Sequence, residues 1–225
     1  MTGANLLSQI RFLTNQNSTT LSDADCVRLM NIYFNRLVQS IVDVNEDFFA
    51  DYQTFDLVAS QREYTLPTDC LKIKRLEVTY DGTNWHKAEP ILQHEAELPL
   101  DDSNATVVDG DYSTSYPRYH VFDNSYFLYP RPTANVTDGG KLWYIQRQTA
   151  LAADSAESAV TIPIEFHYLI AEGASADVFR RLGKENRAQV ADANFARGEQ
   201  QMKAKVSGRN LDNDLQLRPL IQSYK

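Results

Sequence analysis

Cysteine is scarce in this 225-residue chain, with only Cys26 and Cys70 present. Two thiols cannot build a disulfide framework. One lies in a helical pattern and one beside a strand, which suits buried free thiols. Histidine is also sparse: His86, His94, His120 and His167 form no His-x-His or His-x-x-x-His pair. No Cys-x-x-Cys accompanies them, so zinc-ligand spacing is missing. No glycine-rich phosphate loop occurs, since Gly173 and Gly183 fall in or at the end of helical patterns. No Gly-x-Ser-x-Gly elbow occurs either. No apolar run approaches the roughly 20 residues that cross a bilayer. No basic, apolar leader resembles a secretion signal, so the expectation is a soluble protein made in a cytoplasm, with no membrane partner. Positive charge is in deficit, with 22 Lys and Arg against 30 Asp and Glu, a net of −8. A protein that wraps nucleic acid would be basic.

What is present can build a core: 43% of residues are hydrophobic and 11% aromatic. Charge is distributed unevenly. Residues 1–170 carry 12 basic and 23 acidic side chains, whereas residues 171–225 carry 10 basic and 7 acidic. An acidic body with a mildly basic C-terminal part suits a subunit oriented between two unlike neighbours.

The first 49 residues read as helix. Leu6, Leu7, Ile10 and Leu13 line one side of a short helix over Asn5–Thr14. Ser22 offers an N-cap, and Asp25, three residues on, approximates a capping box. Val27, Met30, Phe34, Leu37, Val38, Ile41 and Val44 then recur at steps of three and four, predicting an amphipathic helix.

From Asp51 the period changes to that of strands. Phe55–Val58, Arg62–Leu66 and Cys70–Tyr80 have strand character, and a parity switch at Lys74-Arg75 predicts a bulge. Asp81-Gly82 predicts a turn and Trp85 a return strand. Ile91–Leu98 reads as a short helix, and Asp101–Ser115 as an exposed polar loop. Arg118–Phe122 and Ser125–Tyr129 predict an aromatic hairpin. Asp138-Gly139-Gly140 reads as a turn into a strand over Lys141–Arg147, and Ala150–Ala159 as a linker.

Pro163 suits the opening of a helix ended by Gly183. Lys184–Val206 continues as helix with a thin stripe of Ala188, Ala191, Phe195 and Met202. So polar a helix is expected to lack a private core and to pack on another chain. Residues 208–225 carry leucines without helical spacing, and Arg218-Pro219 favours an extended arm. The fold class predicted is α+β. A helical body of residues 1–49 and 160–207 carries an inserted antiparallel β-domain, residues 50–150, and an extended C-terminal arm, residues 208–225.

Catalytic chemistry finds little support. Asp101, Asp102, Asn104, Asp109 and Asp111 could offer calcium oxygen ligands, but no glutamate closes a twelve-residue EF-hand frame. They could also supply a hydrolase pair, but no apolar pocket is evident to raise one pKa. The expectation is no catalytic residue, no metal and no cofactor. A second reading treats the aromatic hairpin beside this loop as a carbohydrate- or receptor-binding module of a phage tail or surface protein.

Thr161–Val206, a proline-opened, alanine-rich helix, a charged break and a helix of spaced aromatics and alanines, resembles the closing helical pair of tailed-phage head-to-tail adaptor proteins. The N-terminal helix, Leu66-Pro67-Thr68-Asp69, the strand Ile73–Tyr80, the hairpin with Tyr129-Pro130 and the strand Leu142–Ile145 extend the resemblance over nearly the whole chain. It implies a non-enzymatic virion protein at the head–tail junction, assembled in the host bacterial cytoplasm. Such a subunit forms a homo-oligomeric, typically dodecameric, ring beneath the portal protein. The ring extends the DNA channel without specific DNA binding and offers a surface to the tail nozzle or tube and to fibres. On that view Leu211, Leu215, Leu217, Arg218, Leu220 and Ile221 of the arm are expected on the portal. Arg187, Ala191, Phe195 and Met202 are expected between subunits.

Overall fold

The computed structural model describes residues 1–92 and 112–207. The described residues form a mixed α+β fold of four α-helices and a seven-stranded sheet. The chain divides into two compact units, Met1–Phe48 with Gln148–Lys225, and Phe49–Arg147.

The first unit holds α1 (Gly3–Thr14), α2 (Asp23–Val42), α3 (Tyr168–Arg181) and α4 (Glu185–Ser207). Local chemistry sets the helix ends. The Asp25 N–H donates to Ser22 Oγ at 3.1 Å, and the Ser22 hydroxyl returns a bond to the Asp25 carboxylate at 2.9 Å. Acidic Asp23 and Asp25 also suit the positive end of the helix dipole. α3 closes in a Schellman turn: Gly183, at φ +69°, donates to Arg180 O, and Lys184 donates to Phe179 O. Pro163 does not open α3 directly. A 3-10 turn, Ile164–Phe166, intervenes.

α3 is the centre of this unit. Leu169, Ile170, Ala171, Gly173, Ala174, Ser175, Ala176, Val178 and Phe179 are all buried, leaving little of the helix uncovered. Against it lie the face Cys26, Met30, Phe34, Leu37 and Ile41 of α2 and the face Leu6, Leu7 and Ile10 of α1. Each large apolar side chain so buried contributes roughly 1.5–3 kcal/mol. The expected linker, 150–159, is not loose. Asn31 Nδ2 donates to Leu151 O at 2.8 Å, and Leu151 N–H donates to Asn31 Oδ1 at 2.7 Å. Leu151, Val160 and Ile162 are buried, which fixes this stretch into the unit.

The second unit contains β1 (Ala50–Leu57), β2 (Glu63–Thr65), β3 (Cys70–Val78), β4 (His86–Pro90), β5 (Arg118–Phe122), β6 (Ser125–Tyr129) and β7 (Val136–Gln146), in the order β1-β7-β3-β4-β5-β6-β2. All pairs are antiparallel except β4 with β5, which run parallel over two positions. This corrects the expectation of a purely antiparallel domain. The connection from residue 91 to 117 is long enough for the crossover that a parallel pair needs. β3 carries a register shift between Ile73 and Arg75, at the predicted bulge. Asp81 Oδ1 accepts the N–H groups of Thr83 (2.9 Å) and Asn84 (2.7 Å), which forms the tight turn at Gly82.

Asp138-Gly139-Gly140 is not a turn but the first part of β7. Gly140 pairs with both Phe55 and Val78. A Cβ there would overlap the Phe55 ring, so glycine is required by the close approach rather than by a reversal of the chain. Phe55 in turn meets Tyr64 (centroids 5.2 Å apart) and Tyr126 (5.5 Å), beside buried Leu57, Leu76, Val78, Leu128 and Leu142.

The packing of α2 and of α4 on α3 is tested by one glycine each. A Cβ at Gly173 would strike the rigid Tyr33 ring, whereas one at Gly198 would meet the terminal methyls of Leu169. Gly173→Ala is expected to destabilise the protein by about 1–3 kcal/mol, despite alanine's better helix propensity. Gly198→Ala is expected to be milder, because a leucine tip can turn aside. Denaturant unfolding of both variants measures the difference.

Candidate interaction surfaces

α4 carries the residues expected between subunits. Three of the four are occupied within the chain itself. Phe195 is 2% exposed and meets Tyr33 edge-on, with centroids 5.2 Å apart and planes at 73°. The Arg36 guanidinium lies 4.7 Å from the centre of its ring. Met202 is 0% exposed, and Ala191 packs with Ala176, Phe179 and Ala188. The expectation that α4 lacks a private core is therefore corrected. Its stripe is thin because α3 presents small residues to it, and a thin stripe suffices at close approach. Arg187 alone among the four is exposed, with its guanidinium 6.0 Å from the Phe179 ring centre.

Beside Phe195 sits an ionic cluster built around a buried glutamate, Glu199. Glu199 accepts from the Ser40 hydroxyl, pairs with Arg36 at 3.2 Å and meets Lys203 at 3.4 Å. Burial alone would raise its pKa. The Ser40 hydrogen bond and the cations Arg36 and Lys203 outweigh burial and hold it below the usual glutamate range. On α3, Arg180 bridges to Asp177 and to Asp192 of α4, which fastens the two helices near their junction.

Outside this core runs a groove of about 490 Å³ along α3, walled by Leu13 of α1 and by Arg187, Val190 and Asn194 of α4. Val190 is 62% exposed. It falls outside the Ala188-Ala191-Phe195-Met202 stripe, and that misfit was the one sequence signal for a second apolar face on α4. Glu172, on the groove, was missed altogether. A lone glutamate on a helical pattern reads as a solvated charge.

The arm residues Leu211, Leu215, Leu217, Arg218, Leu220 and Ile221 lie outside the described residues, as do Asp101, Asp102, Asn104, Asp109 and Asp111. Most of the short helix expected over Ile91–Leu98 does too.

The aromatic hairpin forms, with Arg118 opposite Tyr129 and Phe122 opposite Ser125. Tyr119, Tyr126, Phe127 and Tyr129 are nevertheless all buried. Those four rings fill a core and offer no face to a sugar, whereas Tyr116 and Phe122 stay exposed. His120, 2% exposed, stacks on Phe127 at 4.8 Å and Tyr129 at 5.6 Å. Burial, and then Arg62, push its pKa down, so it packs as a neutral ring. His167 Nε2 lies 3.0 Å from Ile162 O, and burial lowers its pKa as well. Among the described residues no group of three His, Cys, Asp or Glu is placed to hold a metal. No described helix is long and apolar enough to cross a membrane.

A family model for the SU10 adaptor protein matches residues 1–219. The chain belongs to the SU10 adaptor protein family. No curated protein matches it. The chain is thus a bacteriophage adaptor, from a family of structural proteins.

The Glu199 cluster sets a pH dependence for the adaptor. Its folded pKa is depressed, so its contribution to stability is present above the unfolded value near 4.5 and is lost as pH falls through the folded one. The stability difference between wild type and Glu199→Gln is expected to be largest near neutral pH. It should shrink as pH drops below about 4.5. Unfolding free energies measured from pH 7 to pH 3 give the curve, and a constant difference would show that the pairing carries no net energy.

Proposed function

We propose that the chain is a head-to-tail adaptor, a subunit of a homo-oligomeric ring that docks on the portal protein, extends the DNA channel and offers the tail its attachment surface. The observation that carries this reading is the match of an adaptor family model to nearly the whole chain. On this reading the ring is a dodecamer at the head–tail junction of the virion, assembled in the host cytoplasm. In it a helical body bears the inserted β-domain, and residues 208–225 serve as the portal-binding arm. Tail nozzle or tube protein, and fibres, meet the remaining surface.

Physical chemistry supports three parts of this. An acidic chain of net charge −8 suits a conduit, because negative walls repel phosphate and keep a passing genome from adhering. An arm with spaced leucines suits insertion into a neighbour's groove, where apolar burial and main-chain pairing supply affinity. Of the α4 residues expected between subunits, Arg187 remains the available one, and Val190 joins it. Phe195, Ala191 and Met202 serve the subunit's own core.

Removal of residues 208–225 is expected to weaken portal binding at least about a hundredfold, the scale of losing several buried anchors, with the unfolding midpoint unchanged. Binding of the truncated and full chains to purified portal protein, with far-ultraviolet circular dichroism as the fold control, measures this. Equal affinity would remove the arm from the mechanism.

A further inference from the structure

Two faces of the helical unit stand out as unlike and complementary. On α3, Gly173 points at Tyr33 of α2. At 3.6 residues per turn, Glu172 and Phe179 lie about 100° and 120° around the helix from it, and Leu182 about 180°. The groove of about 490 Å³ follows this far side of α3. Glu172 stands half-buried on it, and burial raises its carboxyl above the usual range. The exposed isopropyl group of Val190 flanks it. A half-buried carboxylate beside apolar walls favours a partner that brings both a methyl group and a positive charge.

α2 carries such a pair. Tyr33 faces α3, and Ile32 and Arg28 lie about 100° and 140° around α2 from it. Ile32 is 49% exposed, and Arg28 makes only a loose 3.8 Å pair with Asp25. The two residues are one helical turn apart, so both can reach one surface. Arg36, one turn further on, is already held by Glu199 and Phe195 and so is committed to its own subunit.

We propose that the groove on α3 and α4 seats the Arg28–Ile32 face of α2 from a second copy of this chain, with Ile32 against Val190 and Phe179 and the Arg28 guanidinium on the Glu172 carboxylate. Groove and ridge are different surfaces, so the contact is head-to-tail. Repeated in one sense, such a contact closes into a ring when its rotation divides a full circle. The inference rests on the ring reading above and names the surfaces that would build it.

Covalent trapping and charge exchange test it in the full-length chain. With Cys70→Ser as background, Ile32→Cys combined with Val190→Cys is expected to give a ladder of dimer, trimer and higher covalent species on mild oxidation. Either cysteine alone should give none. Arg28→Glu and Glu172→Arg should each raise the concentration for half-assembly by about tenfold or more, and the double variant should return it close to wild type. Assemblies of unchanged size in both charge variants, with no ladder, would overturn this contact and leave the ring reading standing. Dimers as the largest species would overturn it in favour of a two-fold contact. A wild-type chain that stays monomeric both alone and on purified portal protein would remove the ring reading along with it.

Discussion

The close approach of α3 to its neighbours is the constraint on which the helical unit depends. Gly173 admits the Tyr33 ring from α2, and Ala171, Ala174 and Ala176 are fully buried. A helix with so few large side chains cannot fill a core alone. It lets other helices come near, and they supply the volume: Phe34, Met30 and Leu37 from α2, Leu6 and Ile10 from α1, Phe195 and Met202 from α4. Because α3 is narrow, α4 needs only one residue in three or four to be apolar. The rest of α4 can stay charged without loss of packing, and this is why so polar a helix is stable in a single chain.

The sheet unit meets the same problem differently. Its core is aromatic, and rings need room. Gly140 provides that room on β7, the strand flanked by β1 and β3, so Phe55 can lie across the backbone and reach Tyr64 and Tyr126. Buried tyrosine hydroxyls need partners, and the Tyr64 oxygen accepts from Val58 N–H at 3.3 Å. Burial pushes the Tyr126 phenol far above its ordinary range, so it stays neutral. The bulge at Ile73–Arg75 lets β3 change which residues face this core partway along its length.

The sequence made the elements legible where one periodicity ran long enough to dominate. α2 is readable from its 3–4 spacing and from Ser22-Asp25, and the β5–β6 hairpin from Asp123-Asn124 between aromatic runs. Reading failed where a residue's role was set by a distant neighbour. Glycines at 139 and 140 carry a turn signature, but a ring from β1 decides their use. Residues 150–159 are small and polar, and only Asn31, far away in the chain, reveals that they are pinned. The α4 stripe looked too thin to bury anything because the width of its partner, α3, cannot be read from α4 itself. For the same reason the burial of Phe195, Ala191 and Met202 within the chain could not be read from α4. Arg187 stays exposed because its charge keeps it at the surface.

What remains outside the core has a definite character. The exposed apolar side chains of the helical unit, Ile32 and Val190 among them, are single residues set among charges rather than broad patches. On the proposed ring reading such a subunit would stay dispersed at low concentration, because each contact is small. Weak contacts gain strength when a template holds many copies side by side, because each added copy then binds at high effective concentration. A portal ring would be such a template. On the proposed ring reading, the polar exterior of α4 would keep a complete fold from assembling before its template is present.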